Sequence, residues 1–452
     1  MDTFINRSDE LESIEKAFNA LLYKNTLLST PIIDFFGIDG IGKTRILKEI
    51  ADRCTAKNLP CIKLDEKHTQ LDGGQNTSRI SRAIVRQAKK YWQQSPDILR
   101  DRKRDAHTQV VETIKVLLEK TPAVVILLDA IDSSNEALVN WIKTTLHELI
   151  EHNNLFVVLT SKQQIVFEND WLMTRRLTPL QLKPLKRDDC TSYLTSFSKA
   201  IPHETINIIF QWTRGYPSAM EVMTDTIVKR QLDVAKSEDK QLLITIIIEE
   251  IIDKKVLAHV KPPNPSLSWY KDHLRLLSIP RRFNLIIMQE LLEKFGPPSI
   301  SKRPSRLEYM GLQRQLNAGT DILYWDLQKA AFTLDESIRN IFFIDQQEHH
   351  PALFMDMHRY LAQRNKQLAS EVAGSDSVRY LREYLYHSAQ DQAAQTAEDM
   401  LQYIEHQFNT IASDVKIQFT EEFRQDKELR EILEKHYPNV YTYIKDHVAT
   451  EE

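Results

Sequence analysis

The sequence predicts an α/β fold, a parallel sheet covered by helices, followed by a long helical region. Three observations carry this. Short continuous apolar runs alternate with helix-periodic segments up to about residue 183. From about Asp188 the spacing turns helical, and KPPNPSLS, Lys261 to Ser268, is the clearest proline-rich break. At 452 residues the chain exceeds one hydrophobic core, and at about 150 residues per domain it calls for roughly three domains.

The elements follow in order. Residues 9 to 25 place Leu11, Ile14, Phe18, Leu21 and Leu22 at helical spacing after a Ser8 or Asp9 cap. PIIDFFGI reads as a buried strand ending in glycine, and TRILKEIADRCTAK as the helix after it. PCIKLD is a second strand, followed by a polar loop around Asp72 to Asn76 and helices near Ile80 to Trp92 and His107 to Glu119. AVVILLDAID and LFVVLTSK are apolar strands separated by a helix from Asn135 to Glu151, and a fifth short strand falls near Arg176 to Leu182. Strands alternating with helices imply right-handed crossovers and a parallel sheet, with ligand chemistry at the carboxyl ends of its strands.

Helices then run over Cys190 to Lys199, His203 to Thr213 and Ser218 to Arg230. Beyond the proline break, helices near Leu274, Ile287 to Lys294 and Arg306 to Asn317 precede DILYWDLQKAAFTLD, two short strands joined through Asp326 to Lys329. Three helices and a hairpin describe a winged helix. From Pro351 onward only helices are expected. The organisation is therefore a nucleotide-binding domain at 1–183, a helical lid at 184–262, a winged helix at 263–348 and a C-terminal helical sensor or partner domain at 349–452.

Composition narrows the class. Hydrophobic residues are 42%, charged residues 27%, and the net charge is -4, so no overall basic excess points to nucleic acid or an anionic membrane. Three cysteines without a CxxC pair read as reduced thiols. The N-terminus lacks a signal-peptide pattern. LLITIIIEEII is broken by two glutamates, which makes a buried helix of it and no membrane span. A soluble cytoplasmic protein is expected.

FFGIDGIGKTRIL carries the chemistry. Gly37, Gly42, Lys43 and Thr44 complete G-x-x-x-x-G-K-[ST] between a strand and a helix, with Gly40 inside it. The loop through Asp39, Gly40, Ile41 and Gly42 to Arg45 is the expected phosphate site, because successive N–H groups and the helix dipole face an anion. Lys43 should pair with β- and γ-phosphate oxygens and Thr44 should ligate Mg²⁺. Asp129, ending an apolar strand, supplies a second Mg²⁺ ligand. Asp132 either orients or deprotonates water or caps a helix, and both readings stay open. Thr160, Ser161 and Lys162 end the neighbouring strand, where one of them senses the γ-phosphate, Lys162 by charge, or all simply close the strand.

These residues resemble the STAND class of P-loop ATPases, signal-transducing switches that include plant resistance proteins, apoptosome scaffolds, NACHT receptors and bacterial regulators. FINRSDEL is similar to the family's F-x-x-R-x-x-E-L, which implies that Ile5 and Arg7 line the base pocket. GIDGIGKT is similar to G-x-G-G-x-G-K-T, with Asp39 in place of the middle glycine. DAID resembles the NACHT form of Walker B, with Ala130 after the metal aspartate and an acid two further on. TRGYPSAM resembles the helical-domain G-x-P motif, whose proline, here Pro217, packs on adenine. Physically, Gly215 and Pro217 also suit the end of one helix and the start of the next.

The resemblance covers residues 1 to about 345 and implies a bacterial member. It departs from the pattern in Lys162, which stands where a sensor arginine is expected. It implies ADP buried among the ATPase, helical and winged-helix domains, opening on exchange for ATP, oligomerisation, and slow regulatory hydrolysis. The chain starts directly at the ATPase, so effector or sensor are expected as separate polypeptides. The rival class is a DNA-acting ATPase, an initiator-like loader or transcription regulator, reading DNA through Lys302, Arg303, Arg306 and Arg314. An inactive nucleotide-binding scaffold is a third. His358, His387, Tyr437, Tyr441 and Tyr443 read first as helix packing, and His349 and His350 as an exposed turn.

Overall fold

The computed structural model describes residues 7–24, 28, 30–65, 76–91, 105–132, 135–197, 201–258, 260, 265–298, 306–317, 320, 322–326, 331–372, 374–391 and 396–449. The chain forms two compact units, Met1–Val234 with Glu249–His259, and Ala235–Ile248 with Val260–Glu452. Among the described residues no helix is long and apolar enough to cross a membrane.

In the first unit β1 (Ile32–Phe36), β2 (Cys61–Leu64), β3 (Val124–Ile131), β4 (Leu155–Ser161) and β5 (Leu177–Gln181) make one sheet in the order β2-β3-β4-β1-β5. Every pair is parallel. All seven residues of β4 are buried, as expected of a strand covered on both faces. Phe36 stands opposite Ser161 on one side and Gln181 on the other. The carboxyl ends of β1, β4 and β5 are thus level, and the loops leaving them share one edge.

Helices complete the layers. Ala106–Lys120 turns Val110, Val111, Ile114, Leu117 and Leu118 inward at helical spacing, and the Asp105 side chain accepts from the Thr108 N–H at its start. Glu136–His147 buries Leu138, Ile142 and Leu146 in the same core. The first helix, Ser8–Asn19, departs from the expected start. Arg7 is its N-cap and no side chain caps it, so neither Ser8 nor Asp9 does. Helices Arg187–Phe197, His203–Thr213 and Pro217–Arg230 belong to the same unit as the sheet.

The second unit carries helices Leu267–Leu277, Leu285–Phe295 and Arg306–Asn317, then an antiparallel hairpin of β6 (Leu323–Asp326) and β7 (Ala331–Leu334). Phe283 bridges to Phe332 and ties the hairpin to the start of the second helix. Helix Glu336–His349 follows, which periodicity does not reveal. It buries Ser337, Arg339, Asn340, Asp345 and Gln346 beside Ile338, Ile341 and Phe342, so no polar face marks it in the sequence. Half-buried His349 lies in this helix with its Nδ1 2.8 Å from Asp345 Oδ1, which corrects the exposed-turn reading; His350 is exposed.

Helices from Pro351–Glu371 to Pro438–Ala449 pack around their own core. Tyr437 is buried there, with Tyr441 and Tyr443 partly buried against it. His358 and His387 are buried with their Nδ1 atoms 2.9 Å apart. Burial pulls both imidazoles below the usual histidine range.

One ion network holds these helices to the preceding ones. Glu383 accepts from Arg281 at 3.0 Å and from Arg282 at 3.0 Å, and Arg281 also reaches Asp426 at 2.6 Å. Although burial opposes its charge, the guanidinium groups hold the Glu383 carboxyl well below the usual range. Removing one member strands buried charge of the opposite sign. Glu383→Ala should cost the second unit about 3–5 kcal/mol, read as a lower urea midpoint for that unit.

Candidate functional site

After β1 the chain turns through the glycine-rich loop into helix Lys43–Ala56. Gly42, at φ +108, is its N-cap and has no side chain to cap with. The first-turn N–H groups and the dipole of this helix therefore favour an anion. Lys43 is buried and folds back over the loop, donating from Nζ to the Gly37 carbonyl at 2.6 Å and the Ile38 carbonyl at 3.0 Å. Burial pulls its ammonium below the usual lysine range, against the raising influence of Asp39 and Asp129.

Two further charges complete this side. Asp39 Oδ1 lies 3.5 Å from Lys43 Nζ, and Asp39 Oδ2 lies 2.7 Å from Lys162 Nζ. Thr44 is exposed in the first turn of the helix and Arg45 half-buried beside it.

Asp129 is presented by an irregularity in β3. The β3–β4 register shifts between Leu128 and Ile131, and Ala130 adopts φ +54, a left-handed conformation costing an alanine about 1–2 kcal/mol. Thr160 secures this turn. Its hydroxyl donates to Asp129 Oδ1 at 2.6 Å and accepts from the Ala130 N–H at 2.8 Å. The choice left open among the three residues ending β4 thus divides: Thr160 serves Asp129, Ser161 donates to Asp34 at 2.7 Å, and Lys162 faces Asp39. Asp132 is exposed just after β3. The following helix is capped by Asn135, whose side chain accepts from the Leu138 N–H, so the cap reading of Asp132 does not hold.

The opposite side comes from the chain ends of the unit. Arg7 donates to the Ile41 carbonyl at 2.8 Å, within the loop, and to the Lys183 carbonyl at 2.6 Å. Ile5 lies outside the described residues. Pro217 opens helix Pro217–Arg230, and the fully buried Tyr216 before it donates its hydroxyl to the Asp39 carbonyl. Gly40, at φ +81, is packed so closely that a Cβ there would meet Ser218 Cβ at 2.6 Å. Lys255 donates to the Ser218 hydroxyl. The helical segment therefore rests on the tip of the phosphate loop.

The donor set fits a magnesium nucleotide. Two ammonium groups and a helix N-terminus suit a phosphate chain, and Thr44 with Asp129 are the oxygen ligands a phosphate-bound Mg²⁺ would use. Among the described residues no group of three or more acidic, histidine or cysteine side chains could hold a metal alone. Of the basic set proposed for DNA, Arg314 is exposed on its helix, while Lys302, Arg303 and the Arg306 side chain lie outside the described residues.

No protein-family model matches the chain, and no curated protein matches it. Its fold is that of a Walker-type ATPase of Pyrococcus abyssi, with a TM-score of 0.55 at 14% identity over 75% of this chain and 95% of that one. Weaker likenesses include the ORC2 protein of Aeropyrum pernix, with a TM-score of 0.46 at 14% identity over 77% and 97% of the two chains. A STAND protein with a tetratricopeptide repeat sensor from Pyrococcus horikoshii gives a TM-score of 0.36 at 13% identity. That match covers 99% of this chain and 58% of that protein. The molecule thus has the P-loop ATPase fold.

Asp34, in the middle of β1, was not singled out from the sequence, although an acid inside IIDFF is the signal. It is fully buried, accepting from the Ser161 hydroxyl and, at 2.8 Å, from the Ile165 N–H. It thereby fixes the loop after Lys162. Burial pushes its carboxyl up to about 6, with the hydrogen bonds and Lys43 opposing. Its folded pKa lies above the unfolded one, so the native state binds the extra proton between about pH 4 and pH 6 and loses stability as pH rises through that window. Asparagine keeps both hydrogen bonds once the Ser161 hydroxyl turns to accept. The stability of wild type relative to Asp34→Asn should therefore fall by on the order of 2–3 kcal/mol from pH 4 to pH 7, measured by urea unfolding of both.

Proposed function

We propose that the first unit binds ADP and ATP with Mg²⁺ and that the protein is a nucleotide-controlled switch of the STAND class, with slow regulatory hydrolysis. The observation that carries this reading is the Tyr216 hydroxyl on the Asp39 carbonyl. It makes the helical segment a lid seated on the loop that would hold the phosphates.

In this reading Lys43, with the loop residues Gly37, Gly40, Ile41, Gly42 and Arg45, grips the phosphates, and Thr44 and Asp129 hold the metal. Mg²⁺, when bound, screens the phosphate charge. Lys162 reads the terminal phosphate, and exposed Asp132 orients water. Ile5, Arg7 and Pro217 form the base side. Arg7 couples the loop to the Lys183 carbonyl at the start of the helical segment, so a ligand that moves the loop moves both its partners.

ADP and ATP can shift the lid only by differential contacts, and a terminal phosphate at Lys162 supplies one. The output would be self-association or engagement of a separately encoded effector or sensor in the cytoplasm. A winged-helix DNA-binding ATPase is the competing reading of the three helices and hairpin in the second unit.

Nucleotide content by denaturing extraction, and mass by light scattering, test this for wild type and Lys43→Ala. Wild type should retain ADP as a monomer and assemble after ATP with Mg²⁺; Lys43→Ala should lose the nucleotide and stay monomeric. A readily exchanging site with rapid hydrolysis and unchanged mass would contradict the switch, and salt-dependent DNA binding would then support its competitor.

A further inference from the structure

We propose that Asp39 is an internal competitor for the phosphate chain that raises the energetic threshold for a terminal phosphate, because its carboxylate lies against both lysines such a ligand must recruit. The inference rests on the nucleotide-binding reading and adds a residue that decides between its ligands.

The geometry is specific. Oδ2 is 2.7 Å from Lys162 Nζ and Oδ1 is 3.5 Å from Lys43 Nζ. The Lys43 side chain is 9% exposed, and those of Lys162 and Asp39 are 29% and 30%. At such exposure these charges are only partly screened by water. Asp39 also belongs to the glycine-rich turn, whose backbone N–H groups and following helix favour negative charge. Asp39 thus supplies to the loop, from within, the same kind of charge that a phosphate brings.

Ligand length then matters. A phosphate chain that takes Lys43 alone has to share it with Asp39 across the longer contact. One that reaches Lys162 as well has to break the shorter pair and move the carboxylate away, since two anions beside the same ammonium repel. The lid is tied to the same residue, because the Asp39 carbonyl accepts from Tyr216 and the adjoining Gly40 packs against Ser218. Displacing the Asp39 side chain therefore disturbs the residue that the helical segment grips. A triphosphate pays this cost and a diphosphate largely escapes it, which favours the diphosphate form until enough triphosphate is present.

Equilibrium titration of the full chain with ADP, ATP and inorganic tripolyphosphate, each with Mg²⁺, tests the inference in wild type, Asp39→Asn and Asp39→Gly. Removing the charge should tighten ATP and tripolyphosphate by roughly tenfold or more and ADP by clearly less. In a Lys162→Met background the gain should shrink, because the pair it relieves is gone. Unchanged or weakened ATP binding in both Asp39 variants, or an equal gain for ADP and ATP, would overturn the proposal. Failure of the underlying reading is distinct: wild type and both variants would then bind none of the three ligands.

Discussion

Lys43 is a cation held where little water reaches it, and the surrounding structure is arranged to keep it charged. Its ammonium is met by two loop carbonyls, by the Asp39 carboxylate and by the field of Asp129. Gly37, Ile38 and Asp39 lie four to six residues before Lys43, so the shape of the loop decides these contacts. The loop keeps its shape because β1 pairs with β4 and β5 in level register, and because Asp34 pins the neighbouring loop through Ser161 and Ile165. Asp129 is in turn aimed by a strained Ala130 that Thr160 stabilises. Strain of this kind gathers where a side chain must be presented rather than packed.

The helical segment obeys the same constraint from the other side. Tyr216 is fully buried, its hydroxyl is too polar to be buried without a partner, and the carbonyl of Asp39 satisfies it. Gly40 has no Cβ, which lets Ser218 approach. Any ligand that alters the loop acts on a contact with little slack, since close-packed surfaces shift between discrete arrangements more readily than they stretch.

Much of the first unit was legible in the sequence for a physical reason. Strands covered on both faces become uninterrupted apolar runs, so IIDFF, VVILLDAI and LFVVLTS announce themselves, and the phosphate loop is fixed by spacing. What the sequence does not display depends on contacts between distant residues. Ser161 and Asp34 are 127 positions apart, and Tyr216 and Asp39 are 177 apart. Helix Glu336–His349 was hidden because it buries polar and apolar residues alike. Arg7 in place of Ser8 or Asp9 at the first helix start has a similar cause, a side chain drawn to the loop and to Lys183 instead of to its own helix.

If the protein is a nucleotide-controlled switch, the phosphate loop and the segment from Gly215 to Met220 should move together. Amide hydrogen exchange of that segment, with ADP and then with ATP and Mg²⁺, tests it most directly. Exchange there should slow with ADP and quicken once ATP replaces it, with the sheet strands unchanged. Equal protection in the two nucleotide states would contradict it.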